Sequence, residues 1–270
     1  MPTVTVNGVE LYFEEHGTGQ PIVGIHGTPS SAMLWAGAAA ELANHGRCIL
    51  YDRRGFYRSA PPEPFHSIDL TEHLDDLAAL IATLHAEPAV LIGRSTGGLI
   101  ALEFTRRFPD KVKGLVLLEP ALFTLDPKAD AWAADTRRRV LAHVAVEPAR
   151  LAEALLRDAL GDETWDAFPH ELKNILGGTS PAVLAEMRGY GLDLSEDPLV
   201  LGEEALAGVR VPALIVSAED SLEACRLVNV RLAAHLPHAE TVLVPGGHLI
   251  DPAHPAVLSF IDRLVGGAPG

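Results

Sequence analysis

The chain predicts an α/β fold, a doubly wound and mostly parallel sheet opened by an antiparallel hairpin. Three observations carry this reading. Short apolar runs alternate with amphipathic stretches along most of the 270 residues. An Asn-Gly pair joins two alternating segments near the start. A block of helical pattern interrupts the alternation between about residues 123 and 205. Strands that alternate with helices pair in parallel through right-handed crossovers.

Val4 and Val6 precede Asn7-Gly8, and Val9, Leu11 and Phe13 follow it. Asn and Gly accept the positive φ angles of a tight turn, so a hairpin is expected here. Apolar runs then fall at 22–25, 48–51, 89–92, 115–118, 213–216 and 241–244. They are too short for helices and apolar on both faces, as strands covered by helices on both sides must be. Helices are expected near 31–45, 69–85, 97–107, 221–235 and 253–265. Asp69 with Glu72 three residues on has the pattern of a capping box.

Within the interrupting block the pattern predicts helices only. Asp162 and Ser180 read as N-caps, the latter followed by Pro181, and Gly177-Gly178 reads as a stop. The block lies between the fourth and fifth parallel strands, at the edge where such sheets bind ligands. The expected organisation is therefore a core of residues 1–122 and 206–270, with a helical cap or lid inserted at 123–205.

Composition narrows the function. Basic residues number 21 against 36 acidic ones, a formal charge of −15. Phosphate binding needs a basic face, so nucleic acid is excluded as a partner and anionic membrane surfaces are disfavoured. A small-molecule substrate remains. The two cysteines, Cys48 and Cys225, form no C-x-x-C pair, which argues against a redox or zinc role. The start lacks a basic region followed by an apolar run, and no stretch is long and apolar enough to span a bilayer. A cytoplasmic location is expected.

The chemistry concentrates in Gly93-Arg94-Ser95-Thr96-Gly97-Gly98, at a strand-to-helix junction. A serine on so tight a turn projects its hydroxyl above the sheet edge. Glycines at the flanking positions let the neighbouring backbone pass close by. The helix N-terminus brings amide N–H groups beside the serine, where negative charge would develop on a substrate oxygen. The patterns of a dinucleotide or P-loop phosphate cradle are absent. His248 follows the last apolar run through Pro245-Gly246-Gly247, at the same edge of the sheet. That is where a base for Ser95 belongs.

Other segments extend the pattern. His26-Gly27-Thr28-Pro29 follows the first parallel run, and Asp52-Arg53-Arg54-Gly55 follows the second. With the G-x-S-x-G turn, a late Asp and a later His, this order resembles the α/β-hydrolase superfamily, in particular its small esterase-like members. The resemblance spans nearly the whole chain; residues 123–205 match only as a helical cap. It implies an α/β-hydrolase fold and a cofactor-free, metal-free Ser-His-Asp hydrolase. It also implies that the amides of Thr28 and Thr96 form the oxyanion hole. Arg94 departs from the smaller or aromatic residue common beside the nucleophile, and is expected to fold toward a rim carboxylate.

Two carboxylates compete to orient His248. Asp220 ends Ser217-Ala218-Glu219-Asp220 and precedes the histidine by 28 positions (248 − 220), a normal separation for the family. Glu119 ends the preceding parallel strand and can instead pair with Arg94. Asp220 is the expected acid and Glu119 the alternative. The expected reaction is hydrolysis of a neutral, largely apolar carboxylic ester or lactone through an acyl-enzyme. Carbon–carbon bond hydrolases and perhydrolase-like enzymes share these motifs, and a ligand-binding receptor on the same fold is the alternative of another class.

Overall fold

The computed structural model describes residues 2–144 and 146–266. Strands β1 (Thr3–Val6) and β2 (Val9–His16) form the expected hairpin, with Val6 opposite Val9. The turn puts Asn7 and Gly8 at φ 45° and 80°. The parallel strands are β3 (Pro21–Ile25), β4 (Arg47–Tyr51), β5 (Ala89–Arg94) and β6 (Val112–Leu118). Tyr190–Gly191 (β7) and Asp197–Pro198 (β8) pair apart from the main sheet, and β9 (Ala213–Ala218) and β10 (Ala239–Val244) complete it. The eight-stranded order is β1-β2-β4-β3-β5-β6-β9-β10, antiparallel only at β1-β2 and β2-β4.

Side chains along each central strand divide between two cores, because successive residues point to opposite faces. Val23, Ile25 and Leu91 enter one core with α2 (Leu70–Thr83), α3 (Thr96–Arg107) and α10 (Glu223–His235). Ile22, Val90 and Ile92 enter the other with α1 (Ala36–His45) and α11 (Pro255–Gly266). Both faces are covered, which is why the strands read as continuous apolar runs.

Between β6 and β9 lie helices α4 (Pro127–Val144), α5 (Leu151–Leu160), α6 (Asp162–Ala167), α7 (His170–Gly177), α8 (Ser180–Arg188) and α9 (Glu203–Ala207). They carry small cores of their own, one around Phe56, Val140, Leu155 and Val183, another around Leu156, Trp165 and Leu176. The expectation of helices alone needs correction, since β7 and β8 also lie here. The cap assignments shift by one residue. Gly161, at φ 85°, precedes α6, and Asp162 is its first helical residue. Ser180 likewise opens α8, and its hydroxyl accepts from the Ala152 amide at 3.1 Å, tying α8 to α5. At Asp69 the Glu72 carboxylate accepts from the Asp69 amide at 2.8 Å, while Asp69 Oδ1 accepts from the Tyr190 amide at 2.9 Å.

The Asp-Arg-Arg-Gly segment after β4 is a buried polar hinge. Arg54 Nε donates to Asp76 Oδ2 at 2.6 Å and Nη2 to Oδ1 at 2.7 Å, and Asn7 Nδ2 donates to Asp76 Oδ1 at 3.0 Å. Asp76 thereby joins the hairpin turn, the β4 loop and α2. Removing one partner of a buried pair strands the other charge, at a cost of about 3–5 kcal/mol. Asp76→Ala is therefore expected to lower the urea midpoint by that much stability, whereas Asp75→Ala, one residue along the same helix and partnered by no ion pair among the described residues, is expected to leave it nearly unchanged.

Candidate active site

Ser95 sits between β5 and α3 at φ 55° and ψ −124°, a region that non-glycine side chains rarely occupy. The turn is held by its neighbours. Ser95 N–H donates to Leu118 O at 3.1 Å, and Ser95 O accepts from Gly98 and Ala121 amides at 2.8 and 3.0 Å. Close approach explains the flanking glycines. A β-carbon at Gly97 would lie 2.1 Å from Ile25 O, and one at Gly93 would lie 2.3 Å from Gly97 O.

His248 and Ser95 line one pocket with Thr28 and Arg94. His248 Nδ1 lies 2.7 Å from Glu119 Oε2, in the geometry of a ring N–H donating to a carboxylate. Glu119 is fully buried and follows β6 at φ 47°. Its Oε1 accepts from the Ala218 amide at 2.8 Å, and its Oε2 also accepts from Ser221 Oγ at 2.6 Å. The expectation that Asp220 orients His248 is not met by this geometry. Asp220 is exposed, and its carboxylate makes no hydrogen bond to His248; its amide instead donates to Gly246 O at 2.9 Å. In the sheet β9 lies between β6 and β10. Glu119 reaches the histidine across the end of β9. Nor does Glu119 pair with Arg94, whose Nη1 donates to Ile250 O at 3.3 Å.

Thr28 stands on the loop after β3, and Thr96 is the first residue of α3. Among the described residues neither amide donates a hydrogen bond within the protein. A buried network fixes the Thr28 loop. Arg53 Nη2 donates to Gly27 O at 2.9 Å and to Thr28 Oγ1, Arg53 Nη1 pairs with Glu186, and Thr28 Oγ1 donates to Glu186 Oε2 at 2.6 Å. His26 Nε2 accepts from the Arg53 amide at 3.0 Å, and its Nδ1 lies 2.8 Å from Gly27 O. Burial, with the nearby Arg53 charge, pushes His26 well below the usual histidine range, so it stays neutral in this structural role.

The pocket walls are mostly apolar and come from both the core and the inserted helices, with Trp132, Leu155, Phe168 and Leu176 from the latter. Asp193 is a polar exception that sequence reasoning missed. Its carboxyl is pushed up to about 7 by burial and then by the Glu186 charge. Nothing in the local sequence marks it, since its setting depends on how the insertion folds over the sheet. Glu119, Cys225 and His248 offer metal-ligand atoms within 4.8 Å of one another. Glu119 Oε2 is committed to His248 and Ser221, and burial pushes the Cys225 thiol up to about 12, which keeps it protonated. These donors suit a hydrogen-bonded array better than a metal. No described helix is long and apolar enough to cross a membrane.

Comparison with known proteins follows the same lines. Residues 20–251 match the family model described as alpha/beta hydrolase fold. The chain is 28% identical to the "Putative carbamate hydrolase RutD" of Azorhizobium caulinodans, over 98% of this chain and 97% of that one. A thermophilic esterase from Thermogutta terrifontis superposes with a TM-score of 0.79 at 26% identity, over 98% of this chain and 100% of that one. The enol-lactonase from Burkholderia xenovorans shares the fold, with a TM-score of 0.71 at 22% identity over 98% of each chain.

The Glu186 network also sets a pH limit. Burial alone would raise the Glu186 carboxyl, but Arg53, His73 and Thr28 together hold it down at about 2. A free glutamate titrates near ~4.3. Since the folded value is the lower one, the stabilisation is complete above the unfolded value and is lost as pH falls from there toward about 2. Denaturant midpoints should drop across that window in the wild type. In Glu186→Gln the midpoint should be lower by about 3–5 kcal/mol of stability at pH 7, because Arg53 is stranded, and its decline below pH 4 should be shallower.

Proposed function

The chain belongs to the alpha/beta hydrolase family, and from that premise we propose that it hydrolyses a carboxylic ester or lactone whose acyl part is largely apolar, through an acyl-enzyme on Ser95. The observation that carries this reading is a strained serine and a histidine lining one apolar pocket, the histidine backed by a buried carboxylate at 2.7 Å. Ser95 Oγ attacks the substrate carbonyl carbon while His248 Nε2 takes its proton. Glu119 replaces Asp220 as the orienting acid. By accepting from Nδ1–H it holds the tautomer that leaves Nε2 free and steadies the imidazolium. The amides of Thr28 and Thr96 stabilise the oxygen as it gains charge. His248 then returns the proton to the leaving alkoxide and activates water, which frees the acid and restores Ser95. The inserted helices act as a lid that shields the acyl-enzyme and shapes the pocket. The esterase and carbamate hydrolase names of the full-length relatives agree with acyl transfer from an ester-like carbonyl.

A fluorophosphonate probe should label wild-type protein at Ser95 alone and fail to label a folded Ser95→Ala variant. Labelling retained in that variant would remove Ser95 as the nucleophile. The choice of acid has its own test. Glu119→Gln should lower kcat on p-nitrophenyl butyrate by something on the order of 10⁴, as the loss of a triad carboxylate does elsewhere. Asp220→Asn should leave kcat nearly unchanged. The reverse ranking, measured in folded variants, would return the role to Asp220.

A further inference from the structure

Arg94 is 6% exposed and lines the pocket immediately beside Ser95. Among the described residues no ion pair engages its charge. The other two arginines of comparable burial are paired, Arg53 with Glu186 and Arg54 with Asp76 and Glu72. Among the described residues no carboxylate comes within ion-pair distance of Arg94. Its one hydrogen bond is the 3.3 Å donation from Nη1 to Ile250 O, and its guanidinium carbon lies 5.6 Å from the centre of the Trp35 ring. Among the described residues neither Nε nor Nη2 makes a hydrogen bond. Burial pushes Arg94 down to about 10, against a weak opposing field from Asp251, which leaves it cationic at neutral pH.

A buried cation without a counterion is costly, and proteins seldom keep one without a use for it. The guanidinium presents planar donors that match the two oxygens of a carboxylate. The apolar walls around it lower the effective dielectric and strengthen such a bond. Asp193 lines the same pocket, and among the described residues it forms no ion pair or hydrogen bond with Arg94.

We propose that Arg94 is the polar anchor of the pocket and that the substrate is an ester or lactone carrying a carboxylate a short apolar spacer away from the scissile carbonyl. This rests on the hydrolase reading above and names its substrate class. The carboxylate of the bound substrate answers the Arg94 charge while Ser95 attacks the ester carbonyl. Arg94 is thus a specificity-determining residue and takes no part in proton transfer.

The test compares acids with their neutral counterparts. Two substrate series place the carboxylate on either side of the scissile oxygen. One is the monoethyl esters of C4–C8 dicarboxylic acids against the diethyl esters. The other is the butyrates of ω-hydroxy acids against the butyrates of their methyl esters. A charge-assisted hydrogen bond is worth about 1.5–3 kcal/mol, so wild-type kcat/KM should favour the acid by about tenfold or more in at least one series. Arg94→Gln should erase that ratio and Arg94→Lys should retain part of it. If wild type treats acid and neutral ester alike in both series, or prefers the neutral ester in both, the proposal is overturned. So it is if the preference survives unchanged in Arg94→Gln. Should that variant not fold, protection of wild-type Ser95 from fluorophosphonate by free adipate, with none by the neutral dimethyl adipate, supports the anchor, and equal protection or none overturns it. Fluorophosphonate labelling of Ser95 without competitor reports on the hydrolase reading separately, so its failure is distinguishable from loss of the acid preference.

Discussion

Ser95 holds φ at 55°, a conformation that a non-glycine residue keeps only where its surroundings over-determine it. The surroundings here are backbone. Leu118 O receives its amide, its own carbonyl receives the Gly98 and Ala121 amides, and the β3 loop passes so close that Gly97 has no space for a β-carbon. These contacts bind three separate stretches to one turn. The start of α3 and the chain after β6 are placed by what they give to Ser95, and the end of β3 by its close packing on Gly97. Because the Ala121 amide is one of those donors, the strand end that carries Glu119 is registered against the serine.

From that point the sheet edge advances in steps. The Glu119 amide donates to Val216 O on β9, the Glu219 amide to Val244 O on β10, and the Asp220 amide to Gly246 O in the loop that bears His248. Asp220 is thus a backbone support for the histidine loop, and its carboxylate is left facing solvent. Glu119 folds beneath the same loop. Its four lone-pair directions are largely used by Ala218, Ser221 and His248, which is how a carboxylate can be fully buried without stranding its charge. Ser221 completes this set from the residue next to Asp220.

The architecture was legible because burial on both faces leaves an unmistakable record in runs such as 89–92 and 115–118, and because Asn7-Gly8 and the Gly93–Gly97 turn use residues that few other conformations require. Ser95, His248, Thr28 and Thr96 stood out as candidates for the same reason, since each sits at a strand end whose position the runs define. The orienting acid was not decided by such marks. Asp220 and Glu119 both end parallel strands, and chain separation from His248 favoured the wrong geometry. What separates them is side-chain reach across one intervening strand and the positive φ of Glu119, and neither is written in local sequence. Asp193 escaped notice for a related reason, because its setting depends on which groups the inserted helices bring over the sheet. Arg94 was expected to fold toward a rim carboxylate; instead its guanidinium bonds Ile250 O and forms no ion pair among the described residues.

The insertion meets the core through two kinds of contact that differ in strength. On the α8 side Glu186 bonds Thr28 and Arg53 and lies 2.7 Å from His73, so the Thr28 loop and the insertion share one buried ion pair. Displacing α8 would expose or strand those charges, at about 3–5 kcal/mol for a buried pair. On the opposite side the pocket wall is Leu155, Leu156, Phe168 and Leu176; the last three pack together with Trp165 in one small apolar cluster. Their outward faces carry solvent-exposed pairs such as Arg157 with Asp162, worth ~1 kcal/mol or less. The Thr28 loop is therefore held by charge, while the apolar pocket wall is held by packing. Rearranging that wall costs far less than disturbing the Thr28 loop, so the fold can reshape the pocket without moving that loop.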